Sequence, residues 1–210
     1  MKRSAAPRRA LLAASLAALL AGCASGPPVR LYTLVSAADA AEPAPAAAAL
    51  ASAPPLPVNL RVASVPLQVD QPQWLVRLPD DTLQLLEQER WAAPLRDELR
   101  AALLQVLAAR FGVVDAREAG AARDAAWRVR IDVTRFESLP GREARLEVGW
   151  VLQAPGVDTP RLTCRAAIRE PVGAGAPALA EGHRRAAAVL ADAIGRALRS
   201  GSLTACPGDA

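Results

Sequence analysis

The sequence predicts an α+β fold: an antiparallel sheet of about five or six strands with two amphipathic helices packed on one face. Three observations carry this reading. Several short segments alternate apolar and polar residues, two longer segments repeat apolar residues at helical spacing, and each strand shows one wet face and one dry one.

Taken in chain order, Val29, Leu31, Thr33 and Val35 alternate with Arg30, Tyr32 and Leu34, which predicts a first strand over 29–35. Residues 36–57 are Ala and Pro with a few acids, a composition that buries too little to offset its ordering entropy, and they are expected to form a flexible loop. "NLRVASVPLQV" then reads as a strand that ends or bulges at Pro66. "QWLVRL" and "TLQLLE" flank Pro79-Asp80-Asp81 and predict a hairpin.

A helix follows, with Leu95, Leu99, Ala102, Leu103, Val106 and Leu107 at helical spacing, Pro94 suited to the first turn and Gly112 to the stop. The next block predicts a three-stranded meander turning at Pro140-Gly141 and Pro155-Gly156. Its strands run through Trp127 to Val133, Leu146 to Leu152 and Leu162 to Ile168. A last helix over roughly 178–199 puts Ala186, Val189, Leu190, Ala193, Ile194, Ala197 and Leu198 on one face. Residues 58–200 thus complete a single domain, with 201–210 expected as a flexible tail.

Ahead of that domain, Lys2, Arg3, Arg8 and Arg9 precede an apolar run from Leu11 to Ala21, the outline of an export signal. Eleven residues are too few to cross a hydrocarbon core of about 30 Å. Leu20-Ala21-Gly22-Cys23 resembles the lipobox of bacterial lipoproteins at all four positions. The resemblance implies cleavage of a signal peptide 1–22 and a covalent lipid on Cys23, followed by a short tether over 23–28. Because the first strand begins at once, the domain would sit close to its membrane.

The formal charge of +4 is carried entirely by the four basic residues of 1–22, so residues 23–210 are neutral. Lys2 is the only lysine. A neutral exported chain lacks the clustered positive charge that nucleic acid requires, and none is expected as a partner. Cys164 and Cys206 lie in a compartment that permits disulfides, but their pairing cannot be read from the sequence.

The ordered series of a lipobox, "LYTL", a Val-Pro strand, "WLVR", "RWAAPL" opening a helix, a strand ending "RFE", a "GW" strand and an apolar C-terminal helix resembles the ABC-type transport auxiliary lipoproteins, the PqiC family. The similarity spans Leu31 to about Arg199. It implies a periplasm-facing lipoprotein, anchored to a membrane through Cys23, that accompanies an MCE-domain (PqiB-like) protein of an ABC system moving lipid or other apolar molecules between membranes. Ala24 after the lipidated Cys implies the outer rather than the inner membrane under enteric-type sorting. The long Ala/Pro insertion departs from the family pattern. Self-association stays open.

Tyr32, Arg90 and Trp91 are the candidate partner interface, since Trp and Arg commonly anchor such patches. The competing reading of Trp91 is a staple between helix and sheet, and Tyr32 equally suits an ordinary strand position. Trp74, Trp127 and Trp150 fit core positions, while Arg128, Arg130, Arg165 and Arg169 with Asp132 and Glu147 suggest a solvated, charge-balanced sheet face.

No catalytic residues, cofactor or metal site are expected. His183 is the sole histidine, there is no Gly-rich phosphate loop, and no His/Cys cluster suits zinc. Glu137 and Glu143 flank a turn and match a glycosidase pair only in residue type. The sequence therefore reads as a non-enzymatic accessory lipoprotein. The alternative is a structural or assembly-type envelope lipoprotein that binds cell wall or another envelope protein without a role in transport.

Overall fold

Turn chemistry sets most element boundaries in the computed structural model, which describes residues 27–36, 54–121, 123–156 and 160–207. The predicted signal peptide 1–22, Cys23 and most of the 36–57 loop lie outside the described residues. The strands are β1 (Arg30–Tyr32), β2 (Leu56–Ser64), β3 (Gln73–Arg77), β4 (Leu83–Trp91), β5 (Val113–Asp115), β6 (Trp127–Leu139), β7 (Glu143–Gln153) and β8 (Arg161–Pro171). Two helices, α1 (Leu95–Phe111) and α2 (Ala176–Ser200), complete the α+β fold.

At the β3–β4 turn, Asp80 accepts hydrogen bonds from the Thr82 N–H at 3.1 Å and its hydroxyl at 2.6 Å, while Asp81 takes a left-handed φ of 66°. Gly112 ends α1 in the left-handed conformation with φ 61°, its N–H closing onto the last turn. All six apolar residues predicted for the buried face of α1 are buried. On α2, Ala186, Leu190, Ile194, Ala197 and Leu198 are buried as expected, but Val189 is 44% exposed and Ala187 and Ala191 take the inner positions. The helical stripe is rotated slightly because α2 packs on both α1 and the β7–β8 ribbon.

The sheet departs from the antiparallel expectation. There are two mixed sheets, ordered β1-β4-β3 and β5-β2-β6-β7-β8. β6, β7 and β8 form the predicted antiparallel meander, but β2 runs parallel to both β5 and β6, and β1 parallel to β4. The physical reason is connectivity. The chain leaves β2, makes the β3–β4 hairpin and α1, and returns as β5 and β6, and a strand that returns by such a crossover pairs in parallel. β2 begins at Leu56, three residues before the predicted strand start at Asn59.

β1 is shorter than the predicted 29–35 strand, yet it joins the sheet with Tyr32 opposite Trp91. Only residues 24–29 therefore separate Cys23 from the first strand. Beyond β1, Ala92 N–H donates to the Tyr32 carbonyl at 2.7 Å and Arg184 Nε donates to the Thr33 carbonyl at 3.0 Å, so both β4 and α2 hold this segment.

One core lies between the helices and the inner faces of the two sheets. The sheets meet where β3 lies beside β6: Arg77 Nη2 donates to Glu137 Oε1 at 2.9 Å, and Trp74 Nε1 to Ser138 Oγ at 2.8 Å. Cys164 and Cys206 are disulfide-bonded with Cα atoms 5.7 Å apart, which resolves the open pairing. Within the tail expected to be flexible over 201–210, Cys206 is thereby tied to β8, and Leu203 and Cys206 pack against the core.

Candidate functional site

Three places bring chemistry-bearing side chains together. The first holds the residues predicted as a partner interface. Tyr32 and Trp91 are adjacent across β1 and β4, and both turn inward onto Trp74: the Tyr32 ring stands edge-on at 5.2 Å and the Trp91 ring lies at 4.3 Å. Trp91 also meets Phe136 edge-to-face at 5.9 Å and is 5% exposed. The indole is thus an internal staple, which corrects the expectation of an outward partner contact at Trp91. It ends β4 rather than opening the helix, and strand alternation turns it to the core side.

Arg90, its neighbour, is half-buried, and its Nε is buried without a hydrogen-bond partner among the described residues. It sits in register with Leu31 on one side and Gln73 on the other, and Leu31 is 65% exposed. Tyr32 is half-buried; burial and the facing Glu89 carboxylate push its hydroxyl pKa upward. Trp74 and Trp150 are core residues as expected, and Trp127 is half-buried.

The second place was not legible in the sequence. Ser138 Oγ lies 2.8 Å from His183 Nε2 and accepts the Trp74 Nε1 hydrogen bond at 2.8 Å. His183 stacks on Phe136 at 3.9 Å with an interplanar angle of 11°, and its Nδ1 has no hydrogen-bond partner. A Ser–His pair suggests a nucleophile and its base. Here both are buried, at 2% and 1% exposure, and burial pushes the imidazole pKa down to about 3. Ser138 accepts from the indole and can donate its own O–H to Nε2, so the polar groups satisfy one another within the core. The trio is a buried polar bridge between β3, β6 and α2.

Glu137 and Glu143 do not face a common cleft as free acids. Glu137 is gripped by Arg77, Arg135 and Arg145, and Glu143 by Arg145. The hydrogen bond to Glu143 is the main reason the Arg145 pKa is raised.

The third place is the outer face of the five-stranded sheet, opposite the helices. Its far half is neutralised by that glutamate network and by an Arg135–Glu147 pair at 3.5 Å. The expected charge balance is incomplete at the β8 edge. Arg130 engages Asp132 through both Nε and Nη2 at 2.9 and 3.0 Å, but Arg165 and Arg169 have no ion pair among the described residues. Burial alone would raise the Asp132 carboxyl pKa; hydrogen bonds from Arg130 and Ser64 outweigh it and hold the pKa below the usual value. A shallow depression of about 660 Å³ opens here over Gly149, Thr163 and Ala167. Beside it lies a cleft of about 350 Å³ lined by Arg61, Arg128, Arg130 and Arg161. Among the described residues, no group of three or more His, Cys, Asp and Glu side chains could hold a metal ion. No helix among them is long and apolar enough to cross a membrane.

The domain thus combines a mixed-sheet α+β fold, a buried polar trio and one sheet face that neither helix covers. Residues 32–195 match the family model described as "ABC-type transport auxiliary lipoprotein component", and the chain belongs to that family. Among solved structures it is similar in fold to an uncharacterized protein at 18% identity and TM-score 0.57, covering 68% of this chain and 93% of the other. Protein XCC0632 from Xanthomonas campestris, described under DUF330, is similar at 18% identity and TM-score 0.54, covering 82% and 97%. A putative lipoprotein from Caulobacter crescentus shares 22% identity over 49% of this chain and 79% of the other, at TM-score 0.33. No curated protein matches the chain.

Proposed function

We propose that this chain is a non-enzymatic accessory subunit of an MCE-type ABC system that moves lipid or other apolar solutes between membranes, and that it moors the periplasmic assembly to a membrane through a lipid on Cys23. The carrying observation is the family match over 32–195 with the lipobox Leu20–Cys23 only nine residues ahead of it. Two or three acyl chains at about 0.8 kcal/mol per buried methylene hold a protein durably. With β1 built into the sheet, that anchor would keep the domain against the bilayer, and the outer membrane is the bilayer we favour because Ala24 follows Cys23. Its role is positional: it fixes one end of a conduit and hydrolyses nothing.

The test is purification of the native protein from membranes. Mass spectrometry should find diacylglycerol on the Cys23 sulfur, and an MCE-domain protein should co-purify. A bare thiol removes the anchor. Recovery of cell-wall fragments or assembly factors in place of the MCE protein would assign the chain a structural role instead.

A further inference from the structure

Strand register places Arg61 of β2 directly opposite Arg130 of β6, and the adjoining row runs Asn59, Arg128, Gln153, Arg161. Like charges facing each other across strands weaken a sheet. Asp132 meets part of this charge, binding Arg130 directly and Arg61 at longer range, and the exposed Asp124 lies 3.8 Å from Arg128, which also donates to the Gly156 carbonyl, while Arg161 has no ion pair among the described residues. The opposite end of the same face shows that this sheet can neutralise itself, because every carboxylate there holds an arginine. Arg165 and Arg169, without an ion pair among the described residues, add charge along β8, but the densest group of arginines, Arg61, Arg128, Arg130 and Arg161, lines one end of this uncovered surface.

Next to that charge the surface is recessed. Gly149 lies in register with Asp132 on one side and Arg165 on the other, and a Cβ built on it would meet nothing within 4 Å. Thr163 and Ala167 continue the low floor of the 660 Å³ depression. Both helices pack on the other side of the sheet, so no layer of the described chain fills this trough.

We infer that the outer face of the β2-β6-β7-β8 sheet seats an acidic segment of a partner protein, its carboxylates on Arg61, Arg128, Arg130 and Arg161 and its body over Gly149. The inference rests on the docking role proposed above and gives that role a surface. Charge complementarity selects an acid. The recess selects a chain segment over a bilayer, since a plane of lipid headgroups touches the arginine tips but not a floor below them.

The test places a photo-crosslinking phenylalanine derivative at position 149 of the full chain in its native cells, with a control at Val189 on the outer side of α2. Position 149 should yield a protein adduct whose linked peptide is acidic, and position 189 should not. Arg61→Glu with Arg161→Glu, which breaks no ion pair of the described chain, should cut the adduct at least tenfold while circular dichroism and the disulfide stay unchanged. An adduct to lipid, an adduct to a second copy, no adduct, or an adduct indifferent to charge reversal overturns the inference. If an MCE protein co-purifies while position 149 links nothing, the surface is wrong and the docking role stands. If the acidic segment belongs to a protein outside any transport system, the surface stands and the docking role is wrong.

Discussion

Glu98 on α1 holds Leu34 in place: its Oε2 accepts the Leu34 N–H at 2.7 Å, deep in the core where the two residues are 5% and 2% exposed. The same oxygen accepts the Thr33 hydroxyl at 2.7 Å. One carboxylate thus satisfies the backbone where the chain leaves β1, and so ties the first described segment to the domain. Hydrogen bonds to a charged acceptor contribute about 1.5–3 kcal/mol, and a buried donor left unpaired costs about as much as a lost bond. Glu98→Ala should lower stability by about 3 kcal/mol, seen as a lower urea midpoint at unchanged slope. Glu98→Gln, which keeps one acceptor, should lose less. An unchanged midpoint for Glu98→Ala would show that β1 contributes little to the domain.

His183 makes stability depend on pH in a defined direction. Its folded pKa is about 3, against 6.5 for the free side chain. The unfolded chain therefore binds a proton that the folded chain refuses, and stability falls as pH drops from about 6.5 toward 3. The slope approaches about 1.4 kcal/mol per pH unit once the unfolded histidine is charged. Between pH 7.5 and 5 the wild-type chain should lose about 2 kcal/mol that His183→Phe, a ring able to keep the stack on Phe136, does not lose. Parallel denaturation curves at the two pH values give the difference directly; equal losses would contradict the buried neutral imidazole.

Two glycines should respond oppositely to alanine. At Gly182 on α2, an added Cβ would lie 2.2 Å from Val172 Cγ1 and 3.1 Å from Ala144 Cβ. Alanine gains about 1 kcal/mol of helix propensity but meets an overpacking cost of about 1–3 kcal/mol. Gly182→Ala is expected to lower the melting temperature, because Val172, just past β8, and Ala144 on β7 must give way together. Gly149→Ala, on the open sheet face, should change stability by no more than about 0.5 kcal/mol. The reverse order of effects would mean that α2 sits farther from the sheet.

The Cys164–Cys206 bond closes a loop across 42 residues, joining β8 to the chain beyond α2. A cross-link of this span typically contributes about 2–4 kcal/mol, chiefly by restricting the unfolded chain. Cys206→Ser should lower the melting temperature by several degrees and abolish any further effect of reductant. Wild-type protein whose melting is indifferent to reductant would exclude the bond.

The features legible in the sequence are those that depend on near neighbours. Period-two alternation marked β6, β7 and β8, helical spacing marked all six buried apolar residues of α1, and Gly112 and Asp80-Asp81 marked a helix end and a turn, because each is decided by interactions within a few residues. The family series belongs to the same kind of signal. What tertiary structure alone decided is how distant segments meet. Parallel pairing of β2 with β6 follows from a crossover through α1, and the half-turn that sends Trp91 inward follows from its register with Tyr32. Ser138 and His183 are 45 residues apart and Thr33 and Glu98 are 65 apart, so no local pattern could announce either contact. Arg130 reads in the sequence as part of a solvated, charge-balanced face; only strand register sets Arg61, from a segment far away in the chain, directly beside it.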